Sequence, residues 1–142
     1  MPELEPRRVS YYPGCSCHGT GREYDASTRQ VCAALGLELS ELADWNCCGA
    51  TSAHAVETRL SVALCARNFK LAADQGEEVI VTPCAACFSR LKAAAAHVRE
   101  HGAPPGVEDL DGPAEVLHLL DLLATPEILE GLEEWAGSRS LG

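Results

Sequence analysis

The chain has 142 residues, with 11 Lys+Arg against 21 Asp+Glu and a formal net charge of -10. That length fits one domain burying roughly two-thirds of its unfolded surface, and an acidic chain without a basic stripe repels phosphate backbones, which excludes nucleic acid as an expected partner. The eight cysteines invite a disulfide framework, but residues 1–14 hold no apolar signal-peptide core and nothing marks export to an oxidising compartment, so the expected location is cytoplasmic.

Val9 to Tyr12 reads as a first strand, closed by Pro13 and Gly14. Thr20 with Glu23 has capping-box spacing for a helix that carries Tyr24, Thr28, Val31, Cys32 and Leu35 along one face and stops at Gly36. Leu37 to Leu42 is the second strand. After the Cys47-Cys48-Gly49 turn, Ser52 caps a long helix in which Val56, Leu60, Ala63 and Leu64 share a stripe, ending near Gly76. Val79 to Thr82 is the most strand-like run. Past Pro83, the alanine-rich segment Ala86 to Glu100 reads as a third helix, ended by Gly102 and the Ala103-Pro104-Pro105-Gly106 breaker. The run Val116 to Ala124 is interrupted by His118 and Asp121 and falls far short of the ~20 residues of a spanning helix, so no membrane span is expected. Residues 1–124 are expected to form the cysteine-rich domain, with 125–142 a short acidic helical tail or linker in which Glu127 to Glu134 flank Leu129 and Leu132.

The β-α-β-α-β-α order predicts an α/β fold: a three-layer, Rossmann-like domain with a short, mainly parallel sheet and flanking helices. In such a sheet the loops after the strands open on one edge, the carboxyl edge, where open α/β folds place their ligands. Cys15 follows the first strand, Cys47 and Cys48 the second, and Cys84 with Cys87 the third, so five thiols distant in sequence are expected to converge. Each loop precedes a helix, whose amide N–H groups and dipole are expected to lower thiol pKa values and stabilise an anionic centre. Five soft sulfur ligands without a histidine or carboxylate partner suit an iron–sulfur cluster or zinc, and five is one more than a tetrahedral zinc needs. A bridge between adjacent Cys47 and Cys48 would be strained.

The series Cys15, Cys47-Cys48-Gly49, Cys84-Ala85-Ala86-Cys87 resembles the cysteine-rich "CCG" domain family. The flanking words Tyr-Tyr-Pro-Gly-Cys-Ser (11 to 16), His-Gly-Thr (18 to 20), Glu-Tyr-Asp (23 to 25) and Asp-Trp-Asn-Cys-Cys-Gly-Ala (44 to 50) look closest to the CCG-bearing subunit of heterodisulfide reductase and its bacterial relatives, with coverage from about Val9 to Leu123. The resemblance implies that Cys15, Cys47, Cys48, Cys84 and Cys87 hold a noncubane [4Fe-4S] cluster, in which two smaller iron–sulfur units share an iron and a sulfide. It also implies a disulfide substrate cleaved between two clusters, with electrons arriving through a ferredoxin-like iron–sulfur subunit from a flavoprotein subunit. The family subunit carries the motif twice and this chain once, so a second CCG-motif chain is an expected partner.

Cys32 and Cys65 sit in helical patterns and are expected to pack in the core. Cys17 reads as an incidental loop residue, with a nearby sixth sulfur or a redox thiol as alternatives. His18 and His54 flank the ligand loops, and either can hydrogen-bond cluster sulfur, donate a proton to a leaving thiolate, or serve only to cap. His97, His101 and His118 are expected to be structural. Trp45 is expected to pack beside the Cys-Cys pair and shield it from water. Two other classes stay open: a thiol–disulfide oxidoreductase using Cys84-Ala85-Ala86-Cys87, which leaves the other three thiols unexplained, and a zinc-stabilised interaction module.

Overall fold

The computed structural model describes residues 7–49 and 58–138. Four short strands alternate with helices: β1 (Arg7–Tyr11), α1 (Cys15–His18), α2 (Arg22–Ala34), β2 (Leu37–Glu41), α3 (Thr58–Asp74), β3 (Val79–Thr82), α4 (Ala85–His101), β4 (Glu115–His118), α5 (Leu119–Leu123) and α6 (Pro126–Ser138). The strands form one sheet in the order β2-β1-β3-β4, and every pairing is parallel. Because side chains alternate along a strand, Ile80 and Val81 of β3 enter different cores. Ile80 joins Tyr12, Val62, Cys65, Phe69, Leu91 and Val98 on the face covered by α3 and α4. Val81 joins Val9, Cys32, Leu35, Leu119 and Ile128 on the face covered by α2, α5 and α6. The result is the expected three-layer α/β arrangement.

Several local expectations are corrected. Thr20 and Glu23 form no capping box; α2 starts after Gly21, with no side-chain cap. Tyr24 and Val31 are largely exposed, and only Thr28 and Cys32 of α2 are buried. The buried stripe of α3 is Val62, Cys65, Phe69 and Ala72, which leaves Leu60 exposed and Ala63 and Leu64 only half-buried. The run 116–124 divides into β4 and α5 at His118, whose Nδ1 accepts from the Leu120 amide while the Asp121 carboxylate accepts from the His118 amide. His118 therefore lies on the carboxyl edge, as a cap. The Ser52 cap, Val56 and His54 lie outside the described residues. Among the described residues no helix is long and apolar enough to cross a membrane.

Candidate metal centre

Pro13 and Gly14 end β1 and deliver Cys15 as the first residue of α1. Cys47 and Cys48 follow β2, and Cys84 is the N-cap of α4, with Cys87 in its first turn. All five thiols therefore stand at the carboxyl edge. Cys15 Sγ lies 3.2 Å from Cys47 Sγ, and Cys48 Sγ lies 3.5 Å from Cys87 Sγ. Cys84 adjoins Cys87, whose amide donates to Cys84 Sγ at 3.4 Å, and the Gly49 amide donates to Cys47 Sγ at 3.3 Å. None of the cysteines is bridged; Cys48 and Cys87 are buried, Cys47 and Cys84 half-buried and Cys15 exposed. The group is closed at one end and open at the other.

Gly14 is required by this packing. Its φ is +78°, and a Cβ there would stand 2.9 Å from Cys87 Sγ, closer than side chains approach one another.

The loop bearing Cys47 and Cys48 is held by a polar clamp that sequence reasoning missed. Fully buried Asn68 of α3 accepts from the Asn46 amide at 3.0 Å and donates to the Asn46 carbonyl at 2.9 Å. The Asn46 side chain donates to the carbonyls of Cys47 and Leu64. Arg67 donates to the Asp44 carbonyl and carboxylate and to Asn46 Oδ1, and Tyr12 OH donates to the Asn46 carbonyl at 2.7 Å. The signal in the sequence is a polar Asn beside Cys65, Phe69 and Ala72 on the buried face of α3.

A second network was also missed. Buried Tyr11 donates to Asp25 Oδ1 at 2.7 Å, and Arg29 bridges Asp25 Oδ2 at 3.0 Å and Glu41 Oε1 at 2.8 Å. His18 Nε2 lies 3.3 Å from the same Glu41 oxygen. The Trp45 ring meets His18 and Tyr12 edge-on, at 5.1 Å and 5.2 Å between centroids, and packs partly buried beside Cys48. Cys17 is buried in α1 rather than incidental to a loop; burial, with the Asp25 charge next, raises its pKa. Cys32 and Cys65 are fully buried in the two cores, as expected. His97 and His101 stack on the exposed side of α4, with ring centroids 4.6 Å apart.

For Cys15 and Cys87 the shift runs opposite to the expected lowering. Burial, and then the neighbouring Cys47, push Cys15 up to about 11. The contact with Cys48, and then burial, raise Cys87 strongly. Crowded sulfurs cannot all carry charge without a cation among them. Among the described residues no three His, Cys, Asp or Glu side chains surround one point closely enough for a single metal ion; the thiols stand as two close pairs with Cys84 beside them. A donor set of soft sulfurs, amides aimed at two of them and a glycine cleared of its side chain fits an iron–sulfur or other metal cofactor held by sulfur.

The model of the cysteine-rich domain family CCG matches residues 9–92, which include all five thiols. The chain belongs to this family. It is also similar to the 8-methylmenaquinol:fumarate reductase membrane anchor subunit of Wolinella succinogenes, at 29% identity over 126 residues, covering 83% of this chain and 44% of the relative. The CCG chain thus spans less than half the length of that relative.

Proposed function

We propose that the chain is an iron–sulfur redox subunit of a multi-subunit reductase, with Cys15, Cys47, Cys48, Cys84 and Cys87 holding a noncubane [4Fe-4S] cluster. The observation that carries this reading is the convergence of five thiols from three separate strand-to-helix loops on one edge of the sheet, one donor beyond what tetrahedral zinc uses. The CCG match supports it, as does similarity to a chain named as a reductase subunit. When bound, such a cluster takes up and passes on electrons and offers iron to sulfur.

The chain's own residues supply the rest. The Gly49 and Cys87 amides stabilise negative charge on Cys47 and Cys84. Tyr12 and Trp45 pack beside the buried thiols and exclude water, while exposed Cys15 leaves one end open to a disulfide substrate. Within this reading the CCG-bearing subunit of heterodisulfide reductase is the proposed functional analogue, and a ferredoxin-like subunit, a flavoprotein subunit and a second CCG-motif chain are the proposed partners. Protein purified anaerobically should be brown and contain iron and acid-labile sulfide. Stoichiometric zinc without iron would overturn the cluster in favour of a structural site.

A further inference from the structure

We propose that His18 is the proton donor to the sulfur that leaves the site, with Glu41 and Arg29 as the residues that position it. This inference rests on the redox reading above and adds an acid to it. The chain carries the motif once, so one site retains one sulfur of a cleaved disulfide and the other must depart. An alkyl thiolate leaves a disulfide more slowly than a thiolate of lower pKa, so an acid that protonates it as it goes speeds the step, and imidazolium is the side-chain acid suited to neutral pH.

The geometry selects His18 among the described histidines. It lies three residues after Cys15 in α1, a spacing that sets both on one helix face, and Cys15 is the exposed thiol, 3.2 Å from Cys47. Its ring packs edge-on against Trp45, two residues before Cys47. Nε2 is held 3.3 Å from Glu41 Oε1, and Arg29 holds that oxygen at 2.8 Å from the far side. Among the described residues Nδ1 has no hydrogen-bond partner, which leaves it for a ligand at the open end. The charged groups around the ring are Glu41 of β2 and, from α2, Arg29 and Arg22, whose Nε donates to the His18 carbonyl at 3.2 Å. A carboxylate fixing one imidazole nitrogen so that the other is aimed is how histidines are oriented for proton transfer.

The step balances as R–S–S–R′ + 2 e⁻ + H⁺ giving R–S⁻ retained at the site and R′–SH released. The S–S bond breaks, the electrons come from a low-potential ferredoxin-type or dithionite donor, and the proton passes from His18 to the R′ sulfur.

The test is single-turnover cleavage by anaerobic, iron-loaded chain with excess dithionite, using two mixed disulfides that share R. One releases an alkyl thiol, the other a nitrothiophenol whose thiolate leaves without a proton. His18→Asn should retain its visible absorption and slow the alkyl substrate about 100-fold, with the aryl substrate changed by no more than a few-fold. Glu41→Gln should show the same selectivity in weaker form, and it decides the matter if His18→Asn loses iron. Equal slowing of both disulfides, or of neither, overturns the role of His18 alone. A wild-type chain that holds iron and cleaves neither disulfide overturns the disulfide reading and this inference together.

Discussion

Residue by residue, burial and position separate seven of the eight cysteines into two chemical classes. Cys15, Cys47, Cys48, Cys84 and Cys87 touch one another or one another's backbone. Cys32 touches only core, and burial alone raises its pKa. Cys65 is the instructive intermediate case: it lies under the site, 3.5 Å from the Cys48 carbonyl, yet it is fully buried in the core that holds Val62, Phe69 and Leu91. Cys47→Ser and Cys84→Ser are therefore expected to lose iron and visible absorption, because hydroxyl is a hard, weakly acidic substitute for thiolate. Cys32→Ala and Cys65→Ala should keep iron and lower stability by about 1 kcal/mol each. Iron-to-protein ratios and urea midpoints for the four variants check this. Iron lost from Cys65→Ala but kept in Cys84→Ser would reverse the assignment.

Between elements, the question is what holds a loop bearing two adjacent thiols when it has no regular structure of its own. The answer is the Asn46–Asn68 pair, which joins the loop to α3 by two reciprocal hydrogen bonds in a dry setting. Asn68→Ala would strand the Asn46 amide and leave its carbonyl with the Tyr12 hydroxyl alone, at a cost of about 1–3 kcal/mol, and should reduce iron occupancy although no ligand is altered. Thermal unfolding alongside iron content tests the point; a destabilised variant that still binds full iron would show that the clamp serves stability alone. This clamp also marks where the sequence ceases to be legible. Local chemistry made the first three strands and the three strand-to-helix loops readable: β-branched residues at Val79–Thr82, alanine richness before Gly102, Pro-Gly after β1. Those loops were enough to bring the thiols to one edge. What escaped depends on the partners an element meets. Nothing in residues 116–124 alone reveals that β3 offers a parallel edge to Glu115–His118, and Leu60 reads as core until the sheet turns α3 onto Val62, Cys65 and Phe69. Asp25 and Arg29 have the i,i+4 spacing of a helical ion pair, but the links of this pair to Tyr11 and Glu41, and those of Asn68 to Asn46, join different elements, so no spacing announces them.

For the chain acting as one body, stoichiometry governs activity. Reductive cleavage of a disulfide produces two sulfurs, and the family resemblance implies that two clusters take one each. The residues given carry one motif, so under the proposed disulfide-cleaving function the isolated monomer retains one sulfur and is then blocked by it. His18 eases departure of the other sulfur but does nothing to free the site. The isolated, cluster-loaded chain is therefore expected to accept electrons from reduced viologen and to cleave disulfide once, with little or no steady-state turnover. Turnover should appear when a second CCG-motif chain and a ferredoxin-like donor are added, because each sulfur then has its own acceptor and the supply of electrons is renewed. The measurement is viologen oxidation with a thiol-coenzyme heterodisulfide, at a protein concentration where sedimentation shows a monomer. A burst equal to the chain concentration followed by a plateau fits this account. Sustained oxidation by the monomer would show that one motif completes the reaction, and the requirement for a second chain would be wrong.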